Sequence, residues 1–158
     1  MIRRCIVACV AIAALSASVA HAQDLASGIL KYFPGKWQAK AADGTNLFTV
    51  EWKVVANGKA IAGPATSASG TTGFAVAGWE PKEKKWIHVL FDGSGMHARL
   101  EVTRFADNTY SGPVYFVDAD GNAASGECRN KIIDQDHFEI TQVLNGKTEV
   151  QQWYRVKD

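Results

Sequence analysis

From Lys36 onward the chain is cut at short intervals by turn-forming residues, and this punctuation constrains the fold more than any other feature. The breaks include Asp43-Gly44, Asn57-Gly58, Pro81 to Lys84, Asp92-Gly93, Asp107-Asn108, Asp120-Gly121, Asp134 to Asp136 and Asn145-Gly146. Asn, Asp and Gly reach positive φ more easily than other residues, so such pairs between alternating segments close tight antiparallel hairpins. The intervening period-two segments predict strands over 36–42, 46–55, 59–64, 71–79, 85–91, 96–105, 109–117, 123–133, 137–144 and 148–156. An open sheet of that many strands would leave two edges exposed, and closure removes both. The pattern therefore predicts an all-β fold, a single antiparallel up-and-down β-barrel of about 8–10 strands. A β-sandwich fits less well, because its Greek-key crossings need long connections and none is present.

One helix is predicted, over residues 24–33 (DLASGILKYF). Asp24 can cap it, Leu25, Ile29, Leu30 and Phe33 fall near one face, and Pro34-Gly35 ends it. A helix this short is not stable alone in water. Its apolar face must lie on the sheet, as a plug or lid at one end of the barrel.

Residues 1–22 read as a signal peptide: Arg3 and Arg4, an apolar run from Cys5 to Leu15, then small residues ending in Ala20-His21-Ala22. The run is short for a membrane span and leads into a cleavage region, so a cut after Ala22 and a periplasmic or secreted location are expected. Residues 23–158 then form one barrel domain, long enough to bury a core without disulfides. The charge balance, 17 basic against 16 acidic side chains, turns slightly acidic without Arg3 and Arg4. It indicates no nucleic-acid or anionic-membrane partner. Cys128 is the one cysteine after the leader, which excludes an intramolecular disulfide and predicts a buried thiol.

The helix leads directly into Phe33-Pro34-Gly35-Lys36-Trp37. A Gly-x-Trp at the entrance to the first strand, after a short helix, resembles the opening motif of the calycins, the lipocalin and fatty-acid-binding-protein group. Gly78-Trp79-Glu80-Pro81-Lys82-Glu83-Lys84-Lys85-Trp86, followed by Phe91-Asp92-Gly93, is similar to a hairpin of exported bacterial lipocalin-like proteins. The resemblance implies a barrel around a cavity. It also implies that a basic residue of the last strand, here Arg155, packs over Trp37, where a guanidinium can cover the indole face while bonding to nearby carbonyls. It brings no catalytic residues.

Alternation assigns the interior. Phe48, Val50, Trp52 and Val54 are expected inward, as are Met96, Ala98, Leu100 and Val102, then Tyr110, Gly112, Val114 and Phe116. The same reasoning selects Ala124, Gly126, Cys128, Asn130 and Ile132, and in the last strand Val150, Gln152, Tyr154 and Val156. Strand 85–91 is apolar on both faces, so periodicity does not choose between Trp86, His88 and Leu90 and their neighbours. Trp79 and Trp86 are expected to pair across a hairpin and fix its register. The Gly-, Ser-, Thr- and Ala-rich segment from Gly63 to Gly73 reads as a mobile loop near the barrel mouth.

The candidate ligand-binding residues are Trp52, Phe74, Trp86, His88, Tyr110, Phe116, Cys128 and Tyr154. The function they suggest is an exported carrier of a small apolar molecule. No phosphate loop, His-Glu-x-x-His metal pair or nucleophile elbow is present, and no cofactor is assigned. Two alternatives are an enzyme acting on a hydrophobic substrate through His88 or Cys128, and a haem-binding barrel with His88 or His137 as axial ligand.

Overall fold

The structure is a computed structural model that describes residues 25–157. The expected signal peptide and the Asp24 cap lie outside the described residues. A helix over residues 25–32 (α1) precedes β1 (Gly35–Ala41), β2 (Asn46–Val55), β3 (Ala60–Ser67), β4 (Thr72–Glu80), β5 (Lys85–Asp92) and β6 (His97–Val102). Then come β7 (Arg104–Ala106), β8 (Thr109–Val117), β9 (Ala123–Asp134), β10 (His137–Leu144) and β11 (Lys147–Arg155).

Hairpin chemistry dictates the connections. At Asn145-Gly146 both residues take positive φ (49° and 78°), as do Asp107-Asn108 (50° and 57°). These are the backbones that tight two-residue hairpins demand. At Asp43-Gly44 the glycine alone is positive, and the aspartate acts through its carboxylate, which accepts the Thr45 N–H at 2.9 Å. Asp118 does the same for the N–H groups of Asp120 (3.0 Å) and Asn122 (2.8 Å).

Pairing between sequence neighbours, together with β1 against β11 and β6 against β8, carries the sheet around to its own start. The ring is a closed antiparallel barrel of 10 strands, because β6 and β7 are two pieces of one strand. β6 pairs with Val114 to Val117 of β8 and β7 with Thr109 to Ser111. The uninterrupted strand expected over 96–105 is broken at Thr103, whose N–H still reaches the Ser111 carbonyl at 3.0 Å. Closure needs sharp coiling at a few points, and glycine supplies it. A Cβ on Gly63, Gly112 or Gly126 would stand 1.6, 1.8 or 1.7 Å from the carbonyl oxygen of Glu51, Glu101 or Val143. At these corners neighbouring backbones occupy the space a side chain would take.

Helix α1 closes the end of the barrel at which β1 begins. Leu25 and Ile29 are buried in the core, and the Tyr32 hydroxyl donates to the carbonyls of Asp134 (2.8 Å) and His137 (3.0 Å). Below it lies the pair that the resemblance implied. Trp37 is 0% exposed, and the Arg155 guanidinium sits 4.2 Å from the centre of its ring. Arg155 also donates through Nη1 to Pro34 O (2.7 Å) and through Nη2 to Tyr32 O (2.8 Å), while Nε pairs with Asp136 at 3.1 Å. Gly35 sits at φ 119°, where a side chain would be strained, and a Cβ there would also lie 2.6 Å from the Arg155 guanidinium.

Three expectations, two of orientation and one of secondary structure, differ from the structure. In β11 the inward residues are Gln151 and Trp153, while Tyr154 is 41% exposed. Trp37 and Arg155 are directly opposed, and opposed residues share a face, so the odd-numbered positions must point in. Val54 is 49% exposed although its parity is right, because β2 runs past the start of β1, whose first residue faces Trp52. The segment Gly63 to Gly73 is mostly strand. Gly63 to Ser67 belong to β3, Thr72 and Gly73 to β4, and only residues 68–71 form the turn.

Candidate ligand cavity

Large inward side chains on some strands face small ones on others, and the mismatch leaves a space. β3 and β4 contribute Ala65, Ala75 and Ala77, whereas β2 and β5 on either side contribute Trp52, Trp86 and His88. The opposite wall carries Tyr110, Val114 and Phe116 from β8 and Cys128 and Asn130 from β9. Ala98, Leu100 and Val102 of β6 and Phe138, Ile140, Gln142, Gln151 and Trp153 of β10 and β11 continue the wall, and Ile29 and Phe33 close it from the helix end. The cavity has a volume of about 210 Å³. One water needs roughly 10–15 Å³ by the same kind of measure, whereas drug-sized pockets begin near about 300 Å³. The space suits a compact molecule.

Of the eight sequence candidates, six line this cavity: Trp52, Trp86, His88, Tyr110, Phe116 and Cys128. Phe74 and Tyr154 do not. Phe74 is 54% exposed and opposes Phe91, also exposed, on the outer surface. In β4 the large residues Phe74 and Val76 point out and the small ones Ala75 and Ala77 point in, the reverse of what apolarity alone suggests. Tyr154 stacks outside on His137, with ring centres 4.6 Å apart. Trp79 and Trp86 are directly opposed, the register expected for that hairpin.

His88 is the most unusual side chain in the wall. Its ring meets Trp52 edge to face at 5.1 Å, and its buried Nε2 has no hydrogen-bond partner among the described residues. Burial pushes its pKa down to about 4, because the imidazolium would lose its hydration without gaining a counter-charge. The ring is therefore neutral near pH 7. An unpaired buried nitrogen costs about 1–3 kcal/mol, and such groups call for an explanation.

The other polar groups are also uncharged. Burial pushes the Cys128 thiol up to about 12, with bonds to Gln142 and Asn130 opposing that shift only in part. Asn130 Nδ2 lies 3.8 Å from the sulfur. A thiol held protonated is a poor nucleophile, so the geometry gives Cys128 a packing role. Burial likewise raises Tyr110 to about 12. Its hydroxyl rises under Gly28 of α1, where a Cβ would lie 2.7 Å away, and its ring stacks on Phe105 at 4.4 Å.

The residues do not fit a haem. His137 lies outside the barrel, bonded to Gln152 Oε1 at 2.7 Å, and the cavity around His88 falls below the drug-sized range. Among the described residues there is also no group of three or more His, Cys, Asp and Glu side chains able to hold a metal ion, and no helix long and apolar enough to cross a membrane.

Gln142, Gln151, Trp153 and the alanines of β3 and β4 also line the cavity, outside the sequence candidates. The alanine signal was present as small residues at every second position, Ala65 in one strand and Ala75 and Ala77 in the next.

The sequence matches no protein-family model and no curated protein. Among solved structures it is similar to a de novo designed fluorescence-activating β-barrel, at 17% identity and a TM-score of 0.43, over 82% of this chain and 97% of that one. It is also similar to a redesigned β-barrel, mFAP1, bound to DFHBI, at 11% identity and a TM-score of 0.38, over 80% of this chain and 97% of that one. The fold assignment rests on the strand pairing itself.

Proposed function

We propose that this chain is an exported, calycin-like binding protein that carries a small, mainly apolar molecule inside its barrel. The observation that carries the reading is the cavity of about 210 Å³, walled by aromatic and aliphatic side chains with a few polar groups set among them. That is the usual composition of a small-molecule site. Export is supported by the sequence of residues 1–22, and kinship with the calycins by Gly35-Lys36-Trp37 with Arg155 laid over the indole. Catalysis draws little support from the wall: Cys128 is held as a thiol and the buried Nε2 of His88 has no hydrogen-bond partner to orient the ring.

Native mass spectrometry of the purified protein tests the reading. A discrete excess over the chain mass, lost on denaturation, is the expected result. A bare chain mass, together with unchanged tryptophan fluorescence across a series of compact apolar probes, would count against a carrier.

A further inference from the structure

We propose that the cavity selects an uncharged aromatic molecule bearing a single hydroxyl group, which bonds to His88, and that it rejects carboxylates of the same shape. The inference rests on the binding reading above and narrows it to a ligand class.

The first argument is charge. The cavity wall contains no Asp, Glu, Lys or Arg among the described residues. Lys85, Arg99 and Glu101 of β5 and β6 are engaged in ion pairs outside the wall, with Lys85–Glu101 at 2.8 Å, Arg99–Glu101 at 2.7 Å and Lys85 also paired with Glu83. A carboxylate entering the cavity would shed its water and find no cation. Burying an unpaired anion is among the most costly events in a protein interior.

The second argument is the unpartnered imidazole. His88 lies in the wall beside Trp52, with Ala77 directly opposite it on β4 and Leu100 on β6. Ala77 and Leu100 carry no hydrogen-bonding group, and the Trp52 ring meets the imidazole edge to face without a bond to its Nε2. A neutral imidazole has one donor and one acceptor nitrogen, and a hydroxyl can both give and take a hydrogen bond, so it suits either tautomer. The apolar remainder of the ligand would then lie against Trp52, Trp86 and Phe116, whose flat faces favour an aromatic ring.

Calorimetric titration at pH 7 with toluene, 4-methylphenol and 4-methylbenzoate separates the parts of this inference, because the three share one ring and differ in the polar group. The phenol should bind about fivefold tighter than toluene, as one net hydrogen bond allows. The benzoate should bind at least about 100-fold more weakly than the phenol, the consequence of an unpaired buried charge. In His88→Leu the phenol should fall to the level of toluene while toluene still binds, which also shows that the variant is folded. His88→Gln, which restores a hydrogen-bonding group, should recover part of the gap. Benzoate binding within tenfold of the phenol, or an unchanged phenol preference in His88→Leu, overturns the inference and leaves the carrier reading standing. Failure of toluene and the phenol alike overturns both.

Discussion

Replacing Arg155 with lysine tests how the barrel floor and its helical cap are held together. The guanidinium spreads over three carbonyls, those of Tyr32, Pro34 and Gln135, pairs with Asp136 and lies flat over Trp37. Tyr32 ends α1 and Pro34 begins the approach to β1, so two of those bonds tie the helix to the last strand. A lysine keeps the charge, but a single ammonium cannot reach carbonyls served by different nitrogens of a planar fork. Losing two charge-assisted bonds, each worth about 1.5–3 kcal/mol, and taking the low end because the site is partly solvated, costs ~3 kcal/mol. Weaker stacking on the indole adds about 0.5–1 kcal/mol. Arg155→Lys should therefore destabilise the protein by ~3–4 kcal/mol, a fall in Tm on the order of 10 °C for a chain of this size. Guanidinium denaturation followed by tryptophan fluorescence measures it. A loss below about 1 kcal/mol, or strict additivity in a double-mutant cycle with Trp37→Phe, would refute the reasoning.

Three further outcomes follow from the same geometry. Folded His88 titrates at about 4 against about 6.5 when unfolded, so below pH 6.5 the unfolded chain takes up the proton first. Its contribution is intact above pH 6.5, declines between 6.5 and 4 and levels off below. Urea denaturation at pH 7 and pH 4.5 should show wild type losing ~2–3 kcal/mol more than His88→Leu, and equal losses would contradict the burial argument. Gly112→Ala places a methyl 1.8 Å from Glu101 O and should cost at least ~3 kcal/mol or prevent folding. Gly44→Ala, with open space but a φ of 87°, should cost only ~1–2 kcal/mol, and similar losses for both would remove the corner role of Gly112. Cys128, held near pKa 12, should alkylate at least ~1,000-fold more slowly at pH 7.5 in the native protein than in denaturant, read by mass-spectrometric mapping. Comparable rates would show an accessible thiol.

The barrel was legible because its turns were. Asn145-Gly146 and Asp107-Asn108 carry their backbone geometry in their side chains, and closure follows from denying so many strands an edge. The Trp37–Arg155 contact was legible through a resemblance resting on three residues at one end of the chain and one at the other. Parity was less legible wherever both faces of a strand are apolar. In β4 the larger residues Phe74 and Val76 lie outside because the register against β3 and β5 pairs Ala77 with the inward Ile61 and His88 and Ala75 with the inward Leu90. In β11 an aromatic stands on each face, as Trp153 and Tyr154, and hydrophobicity gives no preference. The register against β1 decides it, since once Arg155 covers Trp37 only Trp153 and Gln151 can face inward. The break at Thr103 had no local signal, because it is set by register: residues 101–103 stand opposite only Gly112 and Pro113 of β8.

The central claim is that the barrel encloses room for a ligand and is not filled by its own aromatics. A crystal structure of the protein grown with toluene tests this most directly. Density for one toluene is expected among Trp52, Trp86 and Phe116, with Ala75 and Ala77 forming the wall beside it. Trp52 or Trp86 swung into that space, with no density between them, would contradict it.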